Sequence, residues 1–455
     1  MAVSPARDAA LDILLRVEQG GFASELLHSE RLDRLSPQDR GLATELVMGV
    51  LRWRGRLDVA IKDLSSQKLS KLDPEVLESL RLAAYQIGFL EKIPAHAAVN
   101  DAVELVKRKK KKSAAPFVNA VLRKLLKQQA TTPLKPNTGL NGAPTLLKPT
   151  TGLNGAPTPQ GLSALYSHPL WLVDRWAAQF GLEAAERICA YDQQVPPTAI
   201  HLADASVEAE LVSAGITRVP GRLLGCARNV TAGDITKTTA FAEGRVQIQD
   251  EASQLVALLA GRGQRLLDCC AAPGGKTAIL AERNSEAEIV ATELHTHRAE
   301  ALRERLGSRS NVSVMSGDIL ELKLDAEFDR VLADVPCSGT GTLARNPEIR
   351  WRLTTDDLAD LHRRQVAILS AALGKLKPGG KLVYSTCSLE PEENEHVVHE
   401  AGANFSVIPV QEELAALRKE GVLIVDPQPL TAGNFLRILP GQFGTDGFFA
   451  AMLAR

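Results

Sequence analysis

Two cysteines stand in polar turns just after apolar runs. Cys337 lies in Asp334-Val335-Pro336-Cys337-Ser338, and Cys387 in Ser385-Thr386-Cys387-Ser388. Cysteine is by default a small buried apolar residue, a reading that suits Cys189, Cys226 and Cys269. It suits Cys337 and Cys387 poorly, because Ser, Thr and Pro flank them. A thiolate can add to an electrophilic carbon and split one hard step into easier ones. Such chemistry needs one group to attack and a second to help release the product. A third stretch, Asp268-Cys269-Cys270-Ala271-Ala272-Pro273-Gly274-Gly275-Lys276-Thr277, follows the apolar run Arg265-Leu266-Leu267 and leads into a helical pattern. Strand, small-residue loop and helix present backbone N–H groups to a nucleotide-like ligand.

The loop Cys270, Ala271, Ala272, Pro273, Gly274, Gly275 and Lys276 is the expected cofactor cradle. It lacks both GxGxxG and the glycine spacing of a P-loop, which argues against a dinucleotide or a triphosphate. Glu293 ends the second strand roughly 20 residues on, where an acid meets a ribose diol. Asp318 ends the third, where a short acid can take an exocyclic amine. An adenosine-bearing cofactor without phosphates points to S-adenosylmethionine.

These residues need strands to carry them and helices to space the strands. From Gln254 onward strand and helix patterns alternate. Strands are expected at Arg265–Cys270, Glu288–Glu293, Val312–Met315, Arg330–Val335, Lys381–Ser385 and Phe405–Val410, with a closing pair near Phe435–Leu439 and Phe448–Leu453. Helices are expected at Thr277–Arg283, His297–Leu306, Asp356–Leu376 and Glu393–Ala401, with Lys377-Pro378-Gly379-Gly380 as the stop before the strand of Tyr384. This is a doubly wound sheet with an antiparallel end. If the fourth and fifth strands lie beside the first, Cys337 and Cys387 end neighbouring strands at the ligand-binding edge.

The front of the chain is different. Residues 1–130 read as a helical bundle, with start signals at Ser36-Pro37 and Asp73-Pro74. Residues 131–160 form a linker rich in Pro and Gly, in which the stretch 134–145 recurs at 147–158 with Asn137 changed to Thr150. Such composition cannot build a core, so the linker marks a boundary. Residues 161–250 are expected to be a small α+β (RRM-like) unit, either a structural adaptor or, with Arg218, Arg222 and Arg228, part of an RNA groove, and 251–455 the α/β domain.

The chain has 455 residues, 45% hydrophobic and 24% charged, with a formal net charge of -1. Residues 1–130 carry 22 Lys+Arg against 16 Asp+Glu, and the remainder 31 against 38. A basic front suggests nucleic acid. Its strongest feature is Lys107-Arg108-Lys109-Lys110-Lys111-Lys112, a candidate phosphate contact with Arg52, Arg54 and Arg56 beside it; the alternative is a solvated helix end complementing the helix dipole. Six cysteines without repeated CxxC spacing imply free thiols, a reducing compartment and no metal. Met1 to Gly20 reads as an amphipathic helix rather than a signal peptide. No apolar run approaches ~18 residues, so no membrane span is expected.

The three motifs resemble those of the Nop2/Sun (Fmu) family of RNA cytosine-C5 methyltransferases. Asn346-Pro-Glu-Ile-Arg-Trp351 and Pro391-Glu-Glu-Asn-Glu395 also match that family, and Gly49-Val-Leu-Arg52, Ile93-Pro-Ala-His-Ala97 and Val118-Asn-Ala-Val-Leu-Arg123 resemble a NusB-type RNA-binding domain. The resemblance implies a NusB-like bundle and a Rossmann-like class I methyltransferase domain, with S-adenosylmethionine as cofactor. It also implies 16S ribosomal RNA, rather than the assembled ribosome, as substrate, and a cytoplasmic monomer. By resemblance Cys387 is the nucleophile toward cytosine C6 and Cys337 assists release. The residues alone leave that choice open. Asp334 is placed to hydrogen-bond the ring near N3 and to border the cofactor. Where the family more often has Asp, this chain has Glu293. Other RNA cytosines remain alternative substrates. An adenine amino-methyltransferase is disfavoured, because its fourth strand would end in a Pro-Pro-aromatic turn. A non-enzymatic antitermination-type RNA-binding factor would not need the cofactor loop and two strand-end cysteines.

Overall fold

The chain is described here from a computed structural model, for residues 3–129, 134, 157–307, 309–324 and 327–455. The duplicated linker lies almost wholly outside the described residues. The rest forms two compact units, Met1–Val195 with Leu343–Arg352, and Pro196–Thr342 with Leu353–Arg455.

The first unit is helical. Its main helices are α1 (Pro5–Glu18), α2 (Pro37–Leu64), α3 (Pro74–Phe89), α4 (Ala95–Arg108), α5 (Ala115–Gln129), α6 (Pro159–Tyr166), α7 (Leu170–Phe180) and α8 (Leu182–Asp192). Ser36 caps α2, its hydroxyl accepting from the Asp39 N–H at 3.1 Å, and Pro37 fills the first helical position. One face of each helix is apolar: Leu11, Leu14, Leu46, Val50, Leu80, Val118 and Leu122 are fully or almost fully buried. The helices of residues 159–192 belong to this unit and not, as expected from the sequence, with the strands that follow, and Trp176 and Ile188 on them are completely buried. Leu343–Arg352, which follows the Cys337 turn in sequence, also belongs here. Trp351 donates to the Leu51 carbonyl at 2.7 Å, Glu348 accepts from the Ala23 N–H at 2.9 Å, and Arg350 is 1% exposed.

The second unit holds two sheets. The smaller has β1 (Thr198–Leu202), β2 (Thr217–Pro220), β3 (Ala227–Ala232) and β4 (Val246–Ile248) in the order β2-β3-β1-β4, all antiparallel, with α9 (Val207–Ser213) against it. The larger begins after α10 (Glu251–Leu259) and runs β5 (Arg265–Asp268), α11 (Gly275–Arg283), β6 (Glu288–Glu293), α12 (Thr296–Leu306), β7 (Val312–Ser316), β8 (Phe328–Asp334), α13 (Thr355–Leu373), β9 (Leu376–Thr386), α14 (Glu395–Ala401), β10 (Ser406–Ile408), α15 (Val410–Lys419), β11 (Thr431–Ala432), β12 (Phe435–Ile438) and β13 (Phe448–Ala454).

Strand order is β11-β12-β13-β9-β8-β5-β6-β7, with β10 on β13. β7, β6, β5, β8 and β9 are mutually parallel, and β13 pairs antiparallel with β9. Parallel strands covered on both faces read as continuous apolar runs, as Leu266-Leu267, Ile289-Val290-Ala291 and Val331-Leu332-Ala333 do. One expectation fails: Lys377-Pro378-Gly379-Gly380 lies inside β9. Gly379 takes φ +77°, its N–H reaches the Arg455 carbonyl at 3.1 Å, and the pairing of β9 with β8 shifts register there. A bulge absorbs the residues that would otherwise end the strand.

Candidate active site

The parallel order puts the carboxyl ends of β5, β6, β7, β8 and β9 along one edge. Asp268 closes β5 and the loop Cys269–Gly274 follows. Gly274 takes φ +101°, and a Cβ there would stand 2.6 Å from Leu302 Cδ1. A Cβ at Gly275 would stand 2.9 Å from Gln249 Oε1. Both glycines therefore let the loop lie tightly between α12 and the segment before α10.

Asp268 is 1% exposed. Its Oδ2 accepts from Thr277 Oγ1 at 2.8 Å, while Oδ1 finds no hydrogen-bond partner among the described residues. Burial, and then the charge of Asp334, push its carboxyl up to about 6. The Cys270 thiol is pushed up by burial and by four carboxylates, Asp268, Asp334, Glu293 and Asp318. Those acids converge on the loop. Glu293, 5% exposed, accepts from the His295 N–H at 2.9 Å, and Asp318 accepts from the Leu320 N–H at 3.0 Å.

One cleft is lined by Cys270, Ala271, Ala272, Pro273, Gly275, Lys276, Asp268 and Asp334, together with Gln249, Ser253 and Arg305. Glu293 and Asp318 stand at the ends of β6 and β7, outside this lining. Lys276 reaches across to Asp334 Oδ2 at 2.7 Å and lies over the Phe448 ring at 5.4 Å. Burial alone would lower its ammonium; Asp334 overrides this and holds it above the ordinary lysine value. Asp334 Oδ1 accepts from Ser385 Oγ at 2.8 Å.

β8 and β9 are neighbours, with Asp334 opposite Ser385. Their turns bring Cys337 Sγ and Cys387 Sγ to 3.3 Å. The Cys337 thiol is pushed well above its ordinary value by its hydrogen bond to Cys387 and by burial. Lys276 acts electrostatically on Cys387. Cys337 is thus held toward its protonated form in contact with Cys387.

The basic run at the end of α4 is largely spoken for. Lys107 pairs with Glu104 at 2.7 Å, Arg108 with Asp8 at 3.6 Å, Lys109 with Asp12, and Lys111 with Asp73 at 3.0 Å. Lys110 and Lys112 are exposed. Arg52 is buried and donates to the Ala344 carbonyl at 3.1 Å, Arg54 pairs with Glu18, and Arg56 is half-buried. Arg218 and Arg228 both pair with Glu208.

Sequence reasoning passed over Asp268, although it opens the loop motif. It also passed over Gln249 and Ser253, which carry no signal of their own because they reach the cleft from the segment between the sheets. Arg305 could have been found as the last-turn cation of the helix after Glu293. Among the described residues no group of His, Cys, Asp and Glu could hold a metal, and no helix is long and apolar enough to cross a membrane.

The family described as 16S rRNA methyltransferase RsmB/F matches residues 255–454, and the NusB family matches residues 4–127. The chain is 35% identical to the Bacillus subtilis protein named "Probable ribosomal RNA small subunit methyltransferase B", over 100% of both chains. The chain belongs to the RsmB/F family. A Vibrio cholerae member, named ribosomal RNA small subunit methyltransferase B, is 31% identical over 99% of this chain and 97% of its own. A crystal structure covering 100% of both chains superposes with a TM-score of 0.78 at 22% identity, which speaks for the fold. This RsmB/F chain is thus a methyltransferase built from a NusB-like helical unit and a Rossmann-like sheet. Its strand-end thiols, acid-lined loop and Lys276–Asp334 pair lie in the part the methyltransferase family covers.

Proposed function

We propose that this chain methylates C5 of a cytosine in 16S ribosomal RNA, with S-adenosylmethionine as donor, through a covalent bond between Cys387 and C6. The thiol pair at 3.3 Å, beside a loop ringed by four carboxylates, carries this reading. The residues fit the cofactor. It is cationic and free of phosphate, the loop field is negative, and the unpartnered Asp268 Oδ1 suits its ammonium. Glu293 would hold the ribose diol, Asp318 the adenine amine, and Cys270 to Lys276 the backbone cradle. When bound, the cofactor supplies an electrophilic methyl group.

The chain's own residues do the rest. Cytosine C5 is a poor nucleophile, so Cys387 adds to C6 and makes C5 enamine-like. Asp334 would lie near the ring's N3 and, taking up the proton that Cys387 gives up, hand it to N3, which offsets the charge developing during attack. After transfer the C5 proton passes to water, the C5–H electron pair re-forms the C5–C6 double bond, and the C6–S bond breaks with its electrons on the departing Cys387 sulfur; Cys337, which holds its proton beside Cys387, assists by donating its S–H to that leaving thiolate. The base must leave any stack to reach the thiols. The relatives' names support the small-subunit RNA, and the NusB-like unit supports RNA anchoring ahead of ribosome assembly. Such a substrate places the work of a monomer in the cytoplasm.

The test is methylation of protein-free 16S RNA by the purified chain, with 5-methylcytosine mapped base by base. A single cytosine modified in that RNA is expected. Label appearing on transfer RNA instead, or on adenine, would overturn the assignment.

A further inference from the structure

Beneath the two thiols lies a fully buried carboxylate that the mechanism above does not use. Glu393 is 0% exposed and sits in the short turn Pro391–Glu393 before α14. Its Oε1 accepts from the Ser338 N–H at 2.7 Å and from Gln365 Nε2 at 2.9 Å. Its Oε2 accepts from the hydroxyls of Ser338 and Ser388. Ser338 is the residue after Cys337, and Ser388 is the residue after Cys387. One carboxylate therefore holds the residue following each thiol.

The surroundings hold Glu393 in turn. Tyr384 donates to its backbone carbonyl at 2.5 Å. Gln365, on α13, donates both to Glu393 and to the Pro336 carbonyl at 2.9 Å. The two serine hydroxyls are 3.1 Å apart, and the Gly341 N–H reaches the Cys387 carbonyl at 2.9 Å. All four groups facing the carboxylate are donors. A carboxylate presents two oxygens that can accept all four. A neutral amide of the same shape keeps one acceptor oxygen and turns an NH2 toward the two serine hydroxyls, which must then accept instead of donate, although Ser388 Oγ already accepts from the Glu390 N–H at 3.0 Å.

We propose that Glu393 is a positioning residue for the methyl-transfer reaction, clamping the β8 and β9 turns so that Cys337 and Cys387 stay within contact of each other. It touches neither substrate nor cofactor in this reading. Its work is to fix the distance between the thiol that attacks and the thiol that releases, and it rests on the two-thiol mechanism proposed above. Misplacement of a reacting group by about 1 Å can slow a step on the order of a hundredfold.

Glu393→Gln in the full chain tests this, because it keeps shape and removes acceptor capacity. Two readouts separate the clamp from the methylation reading. The first is capture of phenylarsine oxide, which needs two thiols close together and no RNA. Wild type is expected to bind it at Cys337 and Cys387, with capture lost in Cys337→Ala or Cys387→Ala. Glu393→Gln should lose most of that capture while keeping wild-type helicity. The second is kinetics on 16S RNA, where kcat should fall on the order of a hundredfold with the KM for RNA within about twofold. Should Glu393→Gln fail to fold, Ser388→Ala and Ser338→Ala each remove one partner and should give intermediate losses in both readouts. Wild-type arsenical capture in a folded Glu393→Gln, or in both serine variants, would overturn the clamp even if the chain methylates nothing. Loss of arsenical capture without any RNA methylation by wild type would instead keep the clamp and sink the substrate.

Discussion

At the scale of the residue, the site turns on which groups carry charge. Cys337 and Cys387 are 3.3 Å apart and differently placed, with the Cys337 thiol pushed up and Lys276 acting on Cys387. If Cys387 attacks C6, Cys387→Ala leaves no covalent step and abolishes methylation. Cys337→Ala should still attack and transfer once, then stay bonded to its RNA because expulsion of the thiolate is impaired. The measurement is a denaturant-resistant protein–RNA band that requires S-adenosylmethionine, present in Cys337→Ala and absent in Cys387→Ala; the reverse pattern would exchange the two roles. Asp268 gives a pH prediction. Its carboxyl is raised to about 6 in the folded chain against an ordinary 3.8. A raised acid binds more protons folded than unfolded between those values, so its penalty on stability is absent below the lower value and complete above the upper one. A cationic ligand needs the ionised form. Cofactor affinity should therefore hold above pH 6 and fall as pH drops through it, and Asp268→Asn should weaken affinity and flatten that dependence. Calorimetry across pH 5 to 8 reads this directly, and a wild-type curve as flat as the variant's would remove Asp268 from the cofactor site.

At the scale of the element, what was legible in the sequence follows from which patterns are local. Ser36-Pro37 and Asp73-Pro74 announce α2 and α3 because caps act within one turn. The apolar runs announce β5, β6, β8 and β9 because a parallel strand is buried on both faces, whereas β7 lies at the edge of the sheet with no fully buried residue. α15 has no start signal like that of α2, since Pro409 stands at its N-cap without a side-chain cap. β2 and β3 were missed: β2 is largely exposed and short, and pairing rather than local pattern defines it. Pro378-Gly379-Gly380 was misplaced because a bulge stabilised by the distant Arg455 carbonyl is invisible to a local reading. In the site, the loop and both thiols were legible as strand-end residues. The clamp at Glu393 was not, since its partners come from α13 and from two turns 50 residues apart in sequence. The basic run at the end of α4 shows the limit of counting charge. Arg108, Lys110 and Lys112 are exposed, and Lys107, Arg108, Lys109 and Lys111 lie beside carboxylates. If the run holds RNA phosphates, Lys110→Gln with Lys112→Gln should weaken binding and make the salt dependence shallower by roughly 0.7–0.9 per lost contact. Binding titrations at several salt concentrations check this. An unchanged slope would leave the run as a helix end neutralised from within its own unit.

At the scale of the whole molecule, the units do not follow the order of the chain. Leu343–Arg352 leaves the methyltransferase sequence just after the Cys337 turn and folds as part of the helical unit. Its Arg350 is buried to 1% exposure, its guanidinium pulled down to about 10 by burial and held up by Asp192, itself 0% exposed. Arg350 donates to the carbonyls of Asp192 at 3.4 Å and Leu343 at 3.3 Å. Removing Arg350 takes a donor from these buried carbonyls and takes away one cation acting on Asp192, whose Oδ2 also meets His168 Nε2 at 3.1 Å, and each buried polar group left unsatisfied costs about 1–3 kcal/mol. The helical unit is therefore incomplete as residues 1–195 alone. In the full chain, Arg350→Ala should lower the melting temperature of the helical unit, and Asp192→Asn in the same background should recover part of the loss. A fragment of residues 1–195 should melt below one carrying residues 343–352 on a flexible tether, with Trp351 fluorescence shifting to the blue as its indole N–H docks on the Leu51 carbonyl. Calorimetry and fluorescence on the two fragments read the difference. Equal melting temperatures, with Trp351 solvent-exposed in the tethered fragment, would show that the segment adds nothing to the helical core and that Asp192 is satisfied without it.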